Sequence, residues 1–275
     1  MTHAIGEAWL AAQQRIDRLD ARLLVQHVAG CSHADLIARP EKPLTLEQLS
    51  WLESLVTRRA EGEPLAYLLE SAEFYGRSFT VSPAVLIPRP ETEELVALAL
   101  DRLAGIPAPR VLDLGTGSGI IAITLALEKP AARVTAVDIS PAALEVARGN
   151  AERLGARVDF RPGSWFGPVA GERFDLVVSN PPYVAQGDPH LEMNGLPFEP
   201  RGALTDGVAQ GDGLAYIRAI VAGAPDHLAP GGWLLFEHGY DQGEKSRNLL
   251  QAKQFKCILT QPDLAGIDRI SGGRL

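Results

Sequence analysis

Two different periods divide the chain. Up to about residue 72, apolar residues recur at three- and four-residue spacing: Ile16, Leu19, Leu23 and Leu24 share one helical face, and Leu46, Leu49, Leu52, Leu55 and Val56 form a second stripe. This predicts a small helical bundle. Its helix starts are marked by Ser32-His33-Ala34-Asp35 and by Thr45-Leu46-Glu47-Gln48, a capping box in which the hydroxyl accepts from the third amide and the later side chain reaches back. Gly62 stops the second of these helices and Pro64 begins the next. From Glu73 through Phe74-Tyr75-Gly76-Arg77 to Ser78-Phe79-Thr80-Val81 the pattern becomes aromatic and β-branched around a glycine, which predicts a short hairpin. The expected division is a bundle over 1–72, a hairpin linker over 73–88 and a larger domain over 89–275.

Beyond Pro88-Arg89-Pro90 a helix opens with Glu91, Glu93 and Glu94, acids suited to the positive end of the helix dipole. From there strands predicted at 110–114, 133–138, 157–162, 174–179 and 232–237 alternate with helices at 119–128, 141–154, 211–228 and 241–253. Two further strands are expected near 256–261 and 268–274. The rhythm implies an α/β fold with a doubly wound, mostly parallel sheet. Ser140-Pro141 is a favourable helix start, because serine caps and a proline at the first helical position gives up only an amide that had no partner.

Composition narrows the chemistry. The 275 residues are 46% apolar with a formal net charge of −8, and the pI is near 5.3. Domains that bind by neutralising phosphates usually have a basic face and a pI above about 9, so nucleic acid is disfavoured as the main partner. Cys31 and Cys257 lie far apart without metal or disulfide spacing, and both are expected to be reduced, buried thiols. The six histidines show no metal-ligand spacing, so no metal is expected. No apolar run approaches the roughly 18 residues that a membrane span requires, and the charged first 20 residues do not read as a secretory signal. A cytoplasmic protein is expected.

Two segments carry chemistry. The predicted strand ending Val111-Leu112-Asp113-Leu114 runs into Gly115-Thr116-Gly117-Ser118-Gly119, and Asp138 ends the next strand 25 residues after Asp113. Glycines let the backbone pass close beneath a nucleoside, and an acid at that second strand end suits two ribose hydroxyls. The dinucleotide fingerprint GxGxxG fails because position 120 is Ile120. The turn therefore points to S-adenosylmethionine, bound by Gly115, Thr116, Gly117, Ser118, Gly119 and Asp138, with Trp165 covering the adenine.

The second segment, Asn180-Pro181-Pro182-Tyr183, follows an apolar strand. An amide nitrogen is a poor nucleophile, so its lone pair must be localised and aimed. The Asn180 side-chain oxygen and the Pro181 carbonyl can accept its two N–H groups, and consecutive prolines stiffen the backbone that presents them. Tyr183 is expected to offer a flat face on which a planar amide stacks. Of the remaining polar candidates, His238 reads as a buried hydrogen-bonding group, Arg58-Arg59 as a solvated helix end, and Arg89, held between prolines, as a residue near the site.

These segments, with Gly62-Glu63-Pro64-Leu65-Ala66-Tyr67-Leu68, Glu73-Phe74-Tyr75-Gly76, Ile87-Pro88-Arg89-Pro90-Glu91-Thr92-Glu93, Phe198-Glu199-Pro200 and Glu237-His238-Gly239, resemble the PrmC/HemK family over nearly the whole chain. Members of that family are protein-(glutamine) methyltransferases that modify class I peptide chain release factors. The Asn-Pro-Pro-Tyr segment by itself is shared with adenine-N6 DNA methyltransferases. The resemblance implies a class I S-adenosylmethionine-dependent methyltransferase fold with a seven-stranded sheet. It also implies that the glutamine of a Gly-Gly-Gln loop is held by Asn180 and Pro181, with Pro182 and Tyr183 lining its pocket. Asn180 is then shared with the cofactor, and the helical domain grips the release factor. One departure is Glu70, where relatives commonly carry glycine, and it bears on the shape of the turn there. The competing readings are an adenine-N6 nucleic-acid methyltransferase, a non-catalytic binding module on the same fold, and a nicotinamide oxidoreductase. Against the first, residues 1–72 hold 7 Lys+Arg and 10 Asp+Glu, leaving no basic target-recognition region. A monomer is expected.

Overall fold

The computed structural model describes residues 4–275 and divides into two compact units, one ending at Ser71 and one spanning Ala72–Leu275. The smaller unit is helical: α1 (Ile5–Ala12), α2 (Arg18–Ala29), α3 (His33–Ala38), α4 (Leu46–Ala60) and the single turn α5 (Leu65–Leu68). Both expected helix starts are present, and the one at Ser32 proves to be a capping box like that at Thr45, with Ser32 and Thr45 accepting from the amides of Asp35 and Gln48 at 3.1 Å. The face that α2 buries is Ala21, Leu24, Val25 and Val28, packed against Leu52, Leu55 and Val56 of α4 and Leu36 of α3. Leu19 and Leu46, expected in these stripes, are instead exposed. Both sit in the first turn of a helix. Arg58 and Arg59 are not free in solvent either: Arg58 forks onto Glu63 and Arg59 pairs with Asp20 at 2.6 Å. Glu70 adopts φ +53°, the left-handed region that favours glycine.

The larger unit begins with a hairpin, β1 (Ser71–Phe74) and β2 (Arg77–Thr80), turned by Tyr75 and Gly76. Both turn residues have positive φ, as a two-residue turn matched to strand twist requires. The hairpin packs as part of this unit. Phe74 and Phe79 are buried in its main core, the Tyr75 amide donates to Glu93 at 2.7 Å, and Asn150 clamps Thr80 from both sides.

The remaining elements are α6 (Thr92–Leu103), β3 (Arg110–Leu114), α7 (Ile120–Glu128), β4 (Arg133–Asp138), α8 (Pro141–Leu154), β5 (Val158–Pro162), β6 (Phe174–Ser179), α9 (Arg201–Leu204), α10 (Ala215–His227), β7 (Leu228–Glu237), α11 (Gly243–Ala252), β8 (Lys256–Pro262) and β9 (Asp268–Arg274). The sheet has seven strands in the order β5-β4-β3-β6-β7-β9-β8, and β9 runs antiparallel to its two neighbours. The near-continuous apolar runs of β3 and β6 are explained by cover on both faces, since separate buried clusters lie on either side of the sheet. Serine at 140 caps α8 as expected, accepting from Ala143 at 3.2 Å. Cys31 is half-buried, but Cys257 is exposed on strand β8. That strand lies at the edge of the sheet, so the expectation of two buried thiols fails there.

Candidate active site

Strand order alone fixes where a ligand can sit. The chain winds from β3 to β4 on one side and later to β6 on the other, so the crevice opens at the carboxyl ends of β3 and β6. In that pair Leu114 is in register with Ser179, which sends the loops starting at Gly115 and Asn180 out side by side. The Ser179 hydroxyl donates to the Leu114 carbonyl at 2.7 Å and locks the two strand ends together.

The glycine loop has φ of +72°, +56° and +85° at Gly115, Gly117 and Gly119. At Gly119, the cap of α7, a Cβ would lie 2.7 Å from Ile123 Cδ1 and 3.2 Å from Ala147 Cβ, so a side chain there would push Ile123 aside as well as strain the backbone. Asp138 organises the loop as well as facing the crevice: its two oxygens accept from the amides of Gly117 at 2.8 Å and Ser140 at 2.9 Å. A carboxylate has about four lone-pair sites, so acceptor capacity remains for hydroxyls. Asn150, fully buried, donates to the Ser118 carbonyl at 3.0 Å as well as to Thr80, which ties the loop to the hairpin.

Beneath the loop Asp113 is wholly buried. Its Oδ2 accepts from Thr116 Oγ1 at 2.6 Å and from the Ala122 amide at 3.2 Å, while Oδ1 has no partner. Burial pushes its pKa up to about 7 against those two hydrogen bonds.

A cavity of about 360 Å³ lies over the loop, with Gly115, Thr116, Gly117, Ser118, Asp138, Trp165, Asn180 and Pro182 in its lining. Most of the residues singled out from the sequence are therefore brought to one place. Trp165 holds a left-handed φ of +46° and leans on Tyr216 with ring centroids 5.1 Å apart. Residues 84–89 also line the cavity and are pinned by Glu199, which accepts from the Ile87 amide at 3.0 Å and from Arg89 at 2.6 Å. Arg89 thus does line the site, but its charge is already met by a carboxylate that is only 4% exposed.

The elbow at 180–183 departs from expectation at its tyrosine. Tyr183 does not line the cavity: its ring packs against the core around Leu214 and Phe236, and its hydroxyl donates to Glu237 Oε1 at 3.1 Å. Burial and the adjoining carboxylate raise its pKa, so the phenol stays protonated. The reason is a partner 54 residues away, which no local pattern announces. Pro181 is buried and Pro182 is the elbow residue that, with Asn180, reaches the cavity.

Three further tethers, whose pairing no local pattern announces, hold the elbow. Asn180 Nδ2 donates to Thr92 Oγ1 at 3.1 Å, and Thr92 donates to Glu237 Oε2 at 2.7 Å. Gln242 donates to the carbonyls of Tyr183 and Asp212 at 2.9 and 3.0 Å. Gly213 passes so close that a Cβ there would stand 2.1 Å from the Tyr183 carbonyl oxygen. His238 is a buried structural group, bonded to Ser271 and to the Gly239 carbonyl, and burial lowers its pKa.

The chain is 52% identical over 267 residues to the release factor glutamine methyltransferase of Bordetella pertussis, an alignment spanning 97% of this chain and 98% of that one. The chain belongs to the release factor glutamine methyltransferase family. The corresponding enzyme of Neisseria gonorrhoeae is 49% identical over 98% of this chain and 97% of its own. Residues 6–69 match the PrmC N-terminal domain and residues 94–194 the Methyltransferase small domain. Among solved structures, the T. thermophilus 16S rRNA N2 G1207 methyltransferase in complex with AdoMet and guanosine has a TM-score of 0.54 at 22% identity, over 74% of this chain and 49% of that one. At that identity it speaks for the methyltransferase fold alone. No helix among the described residues is long and apolar enough to cross a membrane.

Proposed function

We propose that this chain transfers a methyl group from S-adenosylmethionine to the side-chain amide nitrogen of the glutamine in the Gly-Gly-Gln motif of class I peptide chain release factors, acting as a cytoplasmic monomer in translation termination. The observation that carries this reading is the meeting of the glycine loop and Asn180 in one cavity at the ends of two paired strands.

The residues present fit the cofactor. Gly115 and Gly117, both left-handed, leave a cradle without Cβ atoms while Gly119 packs inward beneath it, Asp138 keeps acceptor capacity for a ribose, and Trp165 and Ile139 supply apolar walls. When bound, S-adenosylmethionine supplies a methyl carbon on a positively charged sulfur. The chain's task is to hold the acceptor nitrogen in line with that carbon. Asn180 Oδ1 accepts one N–H of the glutamine amide and the Pro181 carbonyl the other, while Pro182 excludes water from the pocket. Alignment of this kind is worth roughly 7–11 kcal/mol between well-oriented reactants, so the chain needs to provide no strong base. Recognition beyond the loop falls to the helical unit, where 7 Lys+Arg against 10 Asp+Glu over residues 1–72 disfavour nucleic acid.

Incubation of purified intact release factor with the enzyme and methyl-labelled cofactor, followed by peptide mapping, tests the reading. Label is expected on the Gly-Gly-Gln peptide. Label absent from that peptide, or appearing in DNA or RNA instead, overturns it.

A further inference from the structure

A planar carboxamide shows an acceptor on one side and a donor on the other, and a substrate amide that offers two N–H groups needs the acceptor. Asn180 therefore works in only one of its two orientations, and something must choose between them. The buried chain from Asn180 through Thr92 to Glu237 makes that choice by proton count. The Thr92 hydroxyl has one hydrogen, which it donates to Glu237 Oε2 at 2.7 Å; burial raises the Glu237 pKa, but the two hydroxyls of Thr92 and Tyr183, one on each oxygen, and Arg269 favour the carboxylate that receives them. Toward Asn180 it can only accept, so the group it meets at 3.1 Å must be the Nδ2 amide and Oδ1 is turned away from it. Thr92 and Glu237 are 0% and 1% exposed, so water cannot substitute for either. The same carboxylate receives the Tyr183 hydroxyl on its other oxygen, and so holds both ends of the 180–183 elbow.

We infer that Thr92 and Glu237 are positioning residues that set, through this one-way relay, which face of the Asn180 carboxamide meets the acceptor glutamine. The inference rests on the reading of Asn180 given above. A glutamine at 237 could donate to Thr92 and let the whole chain reverse, which would present Asn180 Nδ2 to the substrate in part of the population. A valine at 92 keeps the shape and removes the relay.

The test uses the full chain with intact release factor and compares Thr92→Val, Thr92→Ser and Glu237→Gln. With Thr92→Val, kcat is expected to fall about 10- to 100-fold, the range that misplacement of a reacting group produces. KM for the release factor and calorimetric cofactor affinity should stay near the parent's, while the melting temperature falls by roughly 2–8 °C because two buried polar groups lose their partner. Thr92→Ser, which keeps the hydroxyl, should restore most of the rate, and Glu237→Gln should fall between the two. The double variant Thr92→Val/Glu237→Gln should be no slower than the worse single one, because both cut the same chain. Parent-like kcat in Thr92→Val, a serine variant as slow as the valine one, or losses that extend to KM and cofactor affinity would each overturn the inference. An independent reading comes from the Asn180 side-chain amide protons in ¹⁵N-labelled protein. They should exchange slowly with water in the parent and faster in Thr92→Val, and equal rates would sink the relay. If the parent itself labels no release factor, the proposed function fails, while the exchange measurement still decides the relay.

Discussion

The cofactor cradle and the acceptor elbow leave neighbouring strands, yet they are held by different means. The cradle is made of backbone: three positive-φ glycines within five residues, a helix cap at Gly119, and one acid at the next strand end. The elbow is made of long-range side-chain tethers, from Thr92, Glu237 and Gln242, which lie 88, 54 and 59 residues from their partners in it. Damage to the cradle should therefore appear in cofactor affinity, and damage to the elbow in turnover at intact affinity.

The hardest test of that contrast is Asn180→Ala. Loss of a preorganised group aimed at the reacting centre typically lowers kcat by about 10²–10³. Cofactor affinity should weaken by no more than about tenfold, the share of one hydrogen bond, and a larger effect on affinity than on kcat would erase the distinction.

A pair of glycine replacements sharpens it. In Gly213→Ala the new Cβ meets a backbone oxygen that cannot move aside, so turnover should collapse while calorimetry still reports cofactor binding. In Gly119→Ala the clash is with the flexible end of Ile123 and adds to an unfavourable φ. This should destabilise by about 1–3 kcal/mol and show first as lost cofactor affinity. Identical affinity losses in the two variants would count against separate construction.

Asp113 separates the two regions by pH. Its folded-state pKa of about 7 lies above the ordinary 3.8, so the folded chain binds more protons than the unfolded one between these values. Its contribution to stability therefore declines as pH rises through that window. Asp113→Asn should flatten the fall of melting temperature with pH over the same range, and an unchanged slope would refute the assignment. The smallest effect is expected outside both regions. Glu70→Gly relieves a left-handed glutamate and should stabilise by about 1 kcal/mol in denaturant titration without altering kinetics.

Periodicity and local chemistry were enough to reveal the alternating strands and helices, the helix starts at Ser32 and Thr45, the glycine turn, Asp138 and the Asn-Pro-Pro-Tyr segment. Each of these is a property of residues within a few positions of one another, where backbone conformation is set by glycine, proline and hydroxyl side chains. Leu19, Leu46 and Cys257 were misjudged because a residue type shows preference for burial, while position at a helix end or sheet edge decides it. Tyr183 was misjudged for a deeper reason. Its sequence context presents an aromatic ring beside a binding elbow, but the direction of the ring depends on a buried carboxylate from the far end of β7. Thr92 lies in a segment that carries the family resemblance, but its contact with Asn180, like that of Gln242 with Tyr183, was not legible for the same cause. The sequence by itself determined which backbone segments form the site, whereas only the tertiary structure decided which way its side chains face, because a hydrogen bond takes its direction from a partner that folding brings near.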